Sequence, residues 1–296
     1  MIVRVLGSAA GGGVPQWNCG CPHCASARAG RIPRRTQSSF AVSSDGEAWW
    51  LINVSPDIAQ QIEAFEPLQP RALRGSPIAG ILLTDANVDH MGGLAVLRQS
   101  GARGFTIWSS AVVRSLALEQ VAFAPFAMPP HRWETFLDGQ SHALDDRLSV
   151  SAIAVAGTTP GYAGRMEAPG AVVAIAVADR ETGGRLLAAP VFAAVDPVLR
   201  NALASADVAF IDGSFYADDE LADFGVDGKA ARRLGHLPAG GADGSLALLA
   251  SEARGTRVIY AHLNNTNPLV DPASAAYTEA ETHGFAVAED GLMLTL

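Results

Sequence analysis

The sequence predicts an α/β fold in which two mixed sheets pack face to face with helices on the outside. Two observations lead there. Short runs rich in Val, Ile and Leu alternate with turn signals and helical patterns from one end of the 296-residue chain to the other. No linker, low-complexity tract or short-period repeat interrupts them, so residues 1–296 read as one domain, long enough to bury a sizeable core.

The strands expected in order are Ile2 to Leu6, Ser38 to Val42, Trp49 to Asn53, Ile78 to Leu83, Phe105 to Trp108, Leu148 to Val155, Ala171 to Val177, Arg185 to Ala188, Val208 to Ile211, Val258 to Ala261 and Leu292 to Leu294. Helical patterns fall at Pro56 to Phe65, Gly93 to Gln99, Ala111 to Phe123, Pro197 to Ala204, Asp218 to Phe224, Gly244 to Arg254 and Pro272 to Thr282. In Pro125 to Asp146 prolines and charges break every period, which suits either an insertion over a site or a long connection. His131 and His142 within it read as exposed loop histidines.

Composition narrows the function. The chain is 49% hydrophobic with a net charge of −9, an acidic balance that argues against nucleic acid or an anionic membrane as partner. No stretch approaches the roughly 20 apolar residues that span a bilayer, so no membrane insertion is expected. "MIVRVLGSAAGGG" enters a strand and a glycine loop without a secretory h-region. The expectation is a cytoplasmic protein acting on small or protein-borne substrates.

Four stretches place metal-capable side chains just past strand ends, where α/β sheets carry their sites. They are Asp85, Asn87, Asp89 and His90 in "TDANVDH", Asp212 after "DVAFI", His236 in "RRLGHLPAGG", and His262 after "RVIYA". Taken singly, Asp89 can cap the following helix, and a buried histidine is more often a hydrogen-bonded core residue than a ligand. Their shared position turns those odds. Asp89, His90, Asp212 and His262 form an oxygen and nitrogen set suited to Fe(II), Mn(II) or Zn(II), with open positions that suit catalysis.

Cys19, Cys21 and Cys24 form C-x-C-x-x-C, which in a cytoplasmic chain indicates metal rather than disulfides, and soft sulfur favours structural zinc. His23 is poorly placed to share a metal with Cys24, so the fourth ligand is expected from a distance. The glycine runs "GSAAGGG" and "PAGGADG" match neither phosphate-loop fingerprint and read as turns where backbone approaches a site. The amides of "HLNNTNP" either bind a ligand or order a loop. The arginines of "RRLGH", with Arg34 and Arg35, can meet an acidic substrate but more often form a solvated surface.

Together "GSAAGGGVPQWNCGCPHC", "RTQSS", "NVSPDI", "LLTDANVDH", "IDGSFYADDE", "GHLPAGG", the "GS" at 244–245 and "HLNNTNP" resemble the PqqB family of pyrroloquinoline quinone (PQQ) biosynthesis, within the metallo-β-lactamase superfamily. The likeness runs over nearly the whole chain and is weakest at 101–182. It implies a four-layer αββα sandwich with a metal site at one edge of the sheets. The superfamily's H-x-H-x-D-H loop aligns with Asp85, Asn87, Asp89 and His90, so two histidines are replaced, and "GTTPGY" stands where another metal histidine is usual. One metal position is thereby lost, and the other survives as Asp89, His90, Asp212 and His262.

The resemblance further implies a mononuclear, iron-dependent hydroxylase of the tyrosine ring in a cross-linked Glu-Tyr precursor. Alternatives are a carrier of PQQ or its precursor toward the periplasm, or a divergent phosphodiesterase-type hydrolase. His236 resembles a conserved loop histidine of tRNase Z enzymes, which implies a proton donor or a residue that orients a substrate carboxylate, while Asp85 and Asn87 become candidates for binding substrate in the vacated space. The position that completes a similar structural zinc in related phosphodiesterases is here Asn265, so Asn265, its neighbour or water is expected to complete the zinc. The expected partners are a dipeptide-like small-molecule precursor or PQQ itself, and a homodimer is left open.

Overall fold

The structure, a computed structural model, describes residues 1–100, 104–137, 139–225, 229–252 and 255–296. Its strands, numbered in chain order, form two seven-stranded sheets. The first contains β1 (Ile2–Gly7), β2 (Ser39–Ser43), β3 (Trp49–Ile52), β4 (Ile78–Leu82), β5 (Thr106–Ser109), β6 (Arg132–Thr135) and β14 (Met293–Thr295), in the order β14-β1-β2-β3-β4-β5-β6. The second contains β7 (His142–Ala143), β8 (Leu148–Ala154), β9 (Val173–Asp179), β10 (Arg185–Ala189), β11 (Val208–Asp212), β12 (Arg257–Ala261) and β13 (Ala286–Val287), in the order β13-β12-β11-β10-β9-β8-β7. In each sheet an antiparallel part leads into a parallel run, β3 to β6 and β10 to β13.

Side-chain alternation divides the core into three layers. Between the sheets lie Val3, Val5, Phe40, Val42, Trp50, Ile52 and Leu82 from one side and Val150, Ile175, Val177, Leu186, Val208, Phe210 and Ile259 from the other. The Phe40 and Phe210 rings stack at 4.7 Å in that layer. The opposite face of the first sheet packs Trp49, Leu51, Ile81 and Ile107 against the helices that carry Ile58, Leu94 and Val113. The second sheet packs Leu187, Ala209, Ile211, Val258 and Tyr260 against those with Leu199, Leu203, Leu246 and Ala276. Helix, sheet, sheet, helix is the αββα sandwich.

Every strand expected from the sequence is present within a residue or two of its bounds. The helix at Pro197–Ala204 has its expected bounds, and the other helices are shorter than expected. Asp218 to Phe224 yields only a 3-10 turn at Ala222–Phe224, and Gly244 to Arg254 only a helix at Ser245–Leu248, with Ala253 and Arg254 outside the described residues. Residues 125–146, of which Asp138 lies outside the described set, form a connection between the sheets: β6 closes the edge of the first and β7 that of the second. His131 and His142 are half-buried there and not exposed. His131 Nδ1 accepts the Phe105 N–H at 3.1 Å, and the His142 ring lies 4.7 Å from Trp108. Among the described residues no helix is long and apolar enough to cross a membrane.

Phe210 is fully buried between the sheets. Phe210→Ala is expected to cost about 3–5 kcal/mol, read as a lower denaturant midpoint at unchanged slope.

Candidate metal centre

The parallel runs bring the carboxyl ends of β4, β11 and β12 to one edge of the sandwich, and the loops that follow carry the predicted residues. After β4 the chain turns through Asp85 into a short helix, Val88–Met91, that contains Asp89 and His90. Asp212 ends β11 and His262 follows β12 in a left-handed conformation with φ of 58°. A non-glycine residue held there is strained and needs surrounding structure to fix it. Gly213 allows these two loops to touch: a Cβ built on it would lie 2.9 Å from Ala261 O and 2.9 Å from Leu263 Cδ2. From the opposite side "GSAAGGG" delivers Gly11, whose added Cβ would meet Asp89 Oδ2 at 3.2 Å, so this glycine run is a backbone approach to the site.

The ligand atoms of Asp89, His90 and His262 lie within 4.8 Å of one another, and so do those of Asp212, His236 and His262. The set expected from the sequence is therefore split into two triads that share His262. His262 Nε2 is 3.2 Å from Asp89 Oδ2, and its Nδ1 is 2.7 Å from Ser214 Oγ. Both Asp212 oxygens are engaged, Oδ1 by the Ser214 N–H (2.9 Å) and hydroxyl (2.6 Å), Oδ2 by His236 Nδ1 (2.8 Å) and the Phe192 N–H (3.2 Å). Ser214, also 3.0 Å from His236 Nδ1, links both histidines to the aspartate. Sequence reasoning passed over it, although its place two residues after a strand-end aspartate was the available signal.

Asp85 corrects an expectation. Instead of standing in vacated space to meet substrate, it has no exposed surface. Its Oδ1 accepts from the Asn87 backbone and side-chain N–H groups (2.9 and 2.8 Å), and its Oδ2 from the Thr84 hydroxyl (2.8 Å) and His90 Nδ1 (2.6 Å). A carboxylate behind a histidine fixes the ring and its tautomer and presents the other nitrogen to a metal. That nitrogen, His90 Nε2, is buried without a hydrogen-bond partner among the described residues. An orphaned imidazole nitrogen beside a carboxylate and a second imidazole fits a divalent ion. Without one, burial would lower the His90 pKa, but Asp85 and Asp89 outweigh it and raise it to about 9.

Asn87, Asp89, His236 and His262 line one cavity of about 310 Å3, with Gly11, Thr158, Thr159, Arg165, Phe215 and Asn264. Thr158 and Thr159 come from "GTTPGY", where no histidine stands.

The Cys19, Cys21 and Cys24 sulfurs also lie within 4.8 Å of one another. Burial opposes ionisation of Cys21, yet the Cys24 backbone N–H, with Cys19 and Asn265 nearby, outweighs it and lowers its pKa, as suits a thiolate ligand. Asn265 is reached as expected, but its amide nitrogen donates to Cys19 Sγ (3.2 Å) and Cys21 Sγ (3.6 Å). With its nitrogen on the sulfurs, the amide is placed to support a thiolate cluster through hydrogen bonds. His23 Nδ1 is turned to Asn265 O at 3.1 Å. Glu220 pins the same loop by accepting from the Thr266 hydroxyl at 2.6 Å and the Tyr216 N–H at 2.7 Å, and burial pushes its carboxyl up to about 6. Arg35 is the opposite of a solvated cation: it is 2% exposed and donates to Ser8 Oγ and Ala288 O.

Residues 48–263 match the Beta-lactamase superfamily domain. Over the full length of both chains, the sequence is 45% identical to "Coenzyme PQQ synthesis protein B" of Methylobacterium sp. (strain 4-46). The chain belongs to the PqqB family. A Zn(2+)-bound PqqB from Methylobacterium extorquens superposes with a TM-score of 0.93 at 37% identity, covering 100% of each chain. A diphosphatase of the PhnP family, at 19% identity with a TM-score of 0.68 over 99% of this chain and 96% of its own, shares the fold.

Within this PqqB-family site, Asp85→Ala should lower active-site metal affinity about 10–100-fold in chelator competition, because the His90 ring loses its fixed orientation. At the cysteines, Cys21→Ser is expected to lose one zinc equivalent by metal analysis, whereas Asn265→Ala should retain it with weaker affinity. Full zinc in Cys21→Ser would exclude a cysteine zinc site.

Proposed function

We propose that the chain acts in PQQ biosynthesis as a mononuclear metal-dependent oxygenase that hydroxylates the tyrosine ring of a cross-linked Glu-Tyr precursor. The observation that carries this reading is the fate of the first position of the superfamily loop. Asp85 is turned away from the cavity to hold His90, so it offers no ligand to a second ion, and the two candidate triads share one histidine, His262, which favours a single ion between them. Hydrolysis by paired metals needs an ion on both the attacking and the leaving oxygen. A single ion with open positions, held by two histidines and a carboxylate, is the arrangement that suits a non-haem Fe(II) oxygenase.

Asp89, His90 and His262 would hold the ion, with Asp212 adjoining through Ser214. Bound there, iron supplies the redox chemistry that activates dioxygen toward an aromatic ring. The chain's own groups do the rest. Asp85 keeps His90 Nδ1 protonated and Nε2 free, and Ser214 orients His262 through Nδ1. His236 lines the cavity with Nδ1 on Asp212, an arrangement suited to holding a proton near the substrate, and Asn87 offers an amide at the same wall.

Anaerobic reconstitution with Fe(II), followed by the tyrosyl precursor, oxygen and a two-electron reductant such as ascorbate to reduce the second oxygen atom to water, should give a product heavier by added oxygen, and His262→Ala should lose at least 100-fold of that rate, about 2.7 kcal/mol. Absence of an oxygen-dependent mass change contradicts the proposal. Precursor turnover that persists in an Asp89→Ala, His90→Ala double variant, together with tight PQQ binding, would favour a carrier instead.

A further inference from the structure

We propose that Arg165 is the carboxylate-binding residue of this cavity, so that the substrate is recognised by a negative charge held away from the metal ligands; the inference builds on the reading of the cavity as a substrate site. Among the described residues that line it, Arg165 is the one Lys or Arg, in a cavity that also contains Asp89. It makes no ion pair among the described residues.

The guanidinium is held in place. Nη1 donates to Leu234 O at 2.8 Å, two residues before His236. The group lies against Gly161, where an added Cβ would come within 3.2 Å of Nη2 and 3.3 Å of Nε. Its loop is fastened on both sides. The Tyr162 hydroxyl donates to Ala86 O at 2.7 Å, the Thr159 N–H donates to Met166 O, and Thr159 Oγ1 accepts from the Met166 N–H, the last two at 2.9 Å each. The loop thus spans from the Asp85 turn to the His236 turn.

With Nη1 committed, Nε and Nη2 have no acceptor among the described residues. Those adjacent N–H groups form the fork that matches the two oxygens of a carboxylate. Arg165 is exposed, but the bond from Nη1 to Leu234 O restrains the side chain, so it loses less freedom on binding than an unanchored arginine would. The substrate class that follows is a carboxylate-bearing small molecule, with the anionic group at Arg165 and the reacting group at the metal.

Calorimetric binding of PQQ and of its trimethyl ester to the zinc-loaded protein tests this. Arg165→Gln should weaken PQQ binding about 10–100-fold, the range for charge-assisted hydrogen bonds, and leave the ester unchanged. Arg165→Lys should fall between wild type and Arg165→Gln, because it keeps the charge and loses the fork. Equal weakening of acid and ester would show a structural role only and overturn the proposal, as would PQQ binding unaffected by Arg165→Gln or absent in the wild type. Failure of oxygen-dependent turnover alone would leave the charge-selective binding standing, so the two readings fail separately.

Discussion

The site depends on one geometric constraint: the two sheets must meet with the carboxyl ends of β4, β11 and β12 at the same edge. His90 comes from the first sheet and His262 from the second, and their rings sit 4.8 Å apart, edge to face. No local sequence signal can bring them together; the apolar layer around Phe40 and Phe210 does so, because burying it fixes how the sheets face each other. The hydrogen bond from Val173 N to Thr84 O, at 2.8 Å, ties the edges beside the metal loop. Loops carried on two rigid sheets can then hold a strained residue such as His262 in place.

Around that edge three of the candidate ligands, His90, His262 and Asp212, are held by further groups. Asp85 stands behind His90 and Ser214 behind His262, while Asp212 is saturated by four donors. The cysteine cluster belongs to the same scheme. Asn265 touches two of its sulfurs three residues after His262, so the loop that presents the histidine is fastened to the thiolates at one point and to Glu220 at the next residue. A metal held by the cysteines would therefore order the loop that completes the other site.

Much of this was legible in the sequence, for physical reasons. Strands of Val, Ile and Leu advertise themselves by composition, and strand-end aspartates and histidines by position. The short edge strands β6, β7 and β13 were not legible: Arg132–Thr135 and His142–Ala143 sit among prolines and charges, and two to four residues show no period. Which way a carboxylate faces is also invisible in sequence. Asp85 occupies a ligand position by alignment, yet its neighbour Thr84 and the Asn87 amide turn it onto His90. Ser214 and Arg165 were missed because their roles arise from contacts across the chain, to His262 and to Leu234.

Crystals grown without added metal, measured by anomalous scattering at the iron and zinc edges, test the central claim most directly. One ion beside Asp89, His90 and His262, and one among Cys19, Cys21 and Cys24, is the expected result. A pair of ions at the active-site edge, the second bound by Asp85 or beside Thr158, would contradict a mononuclear centre.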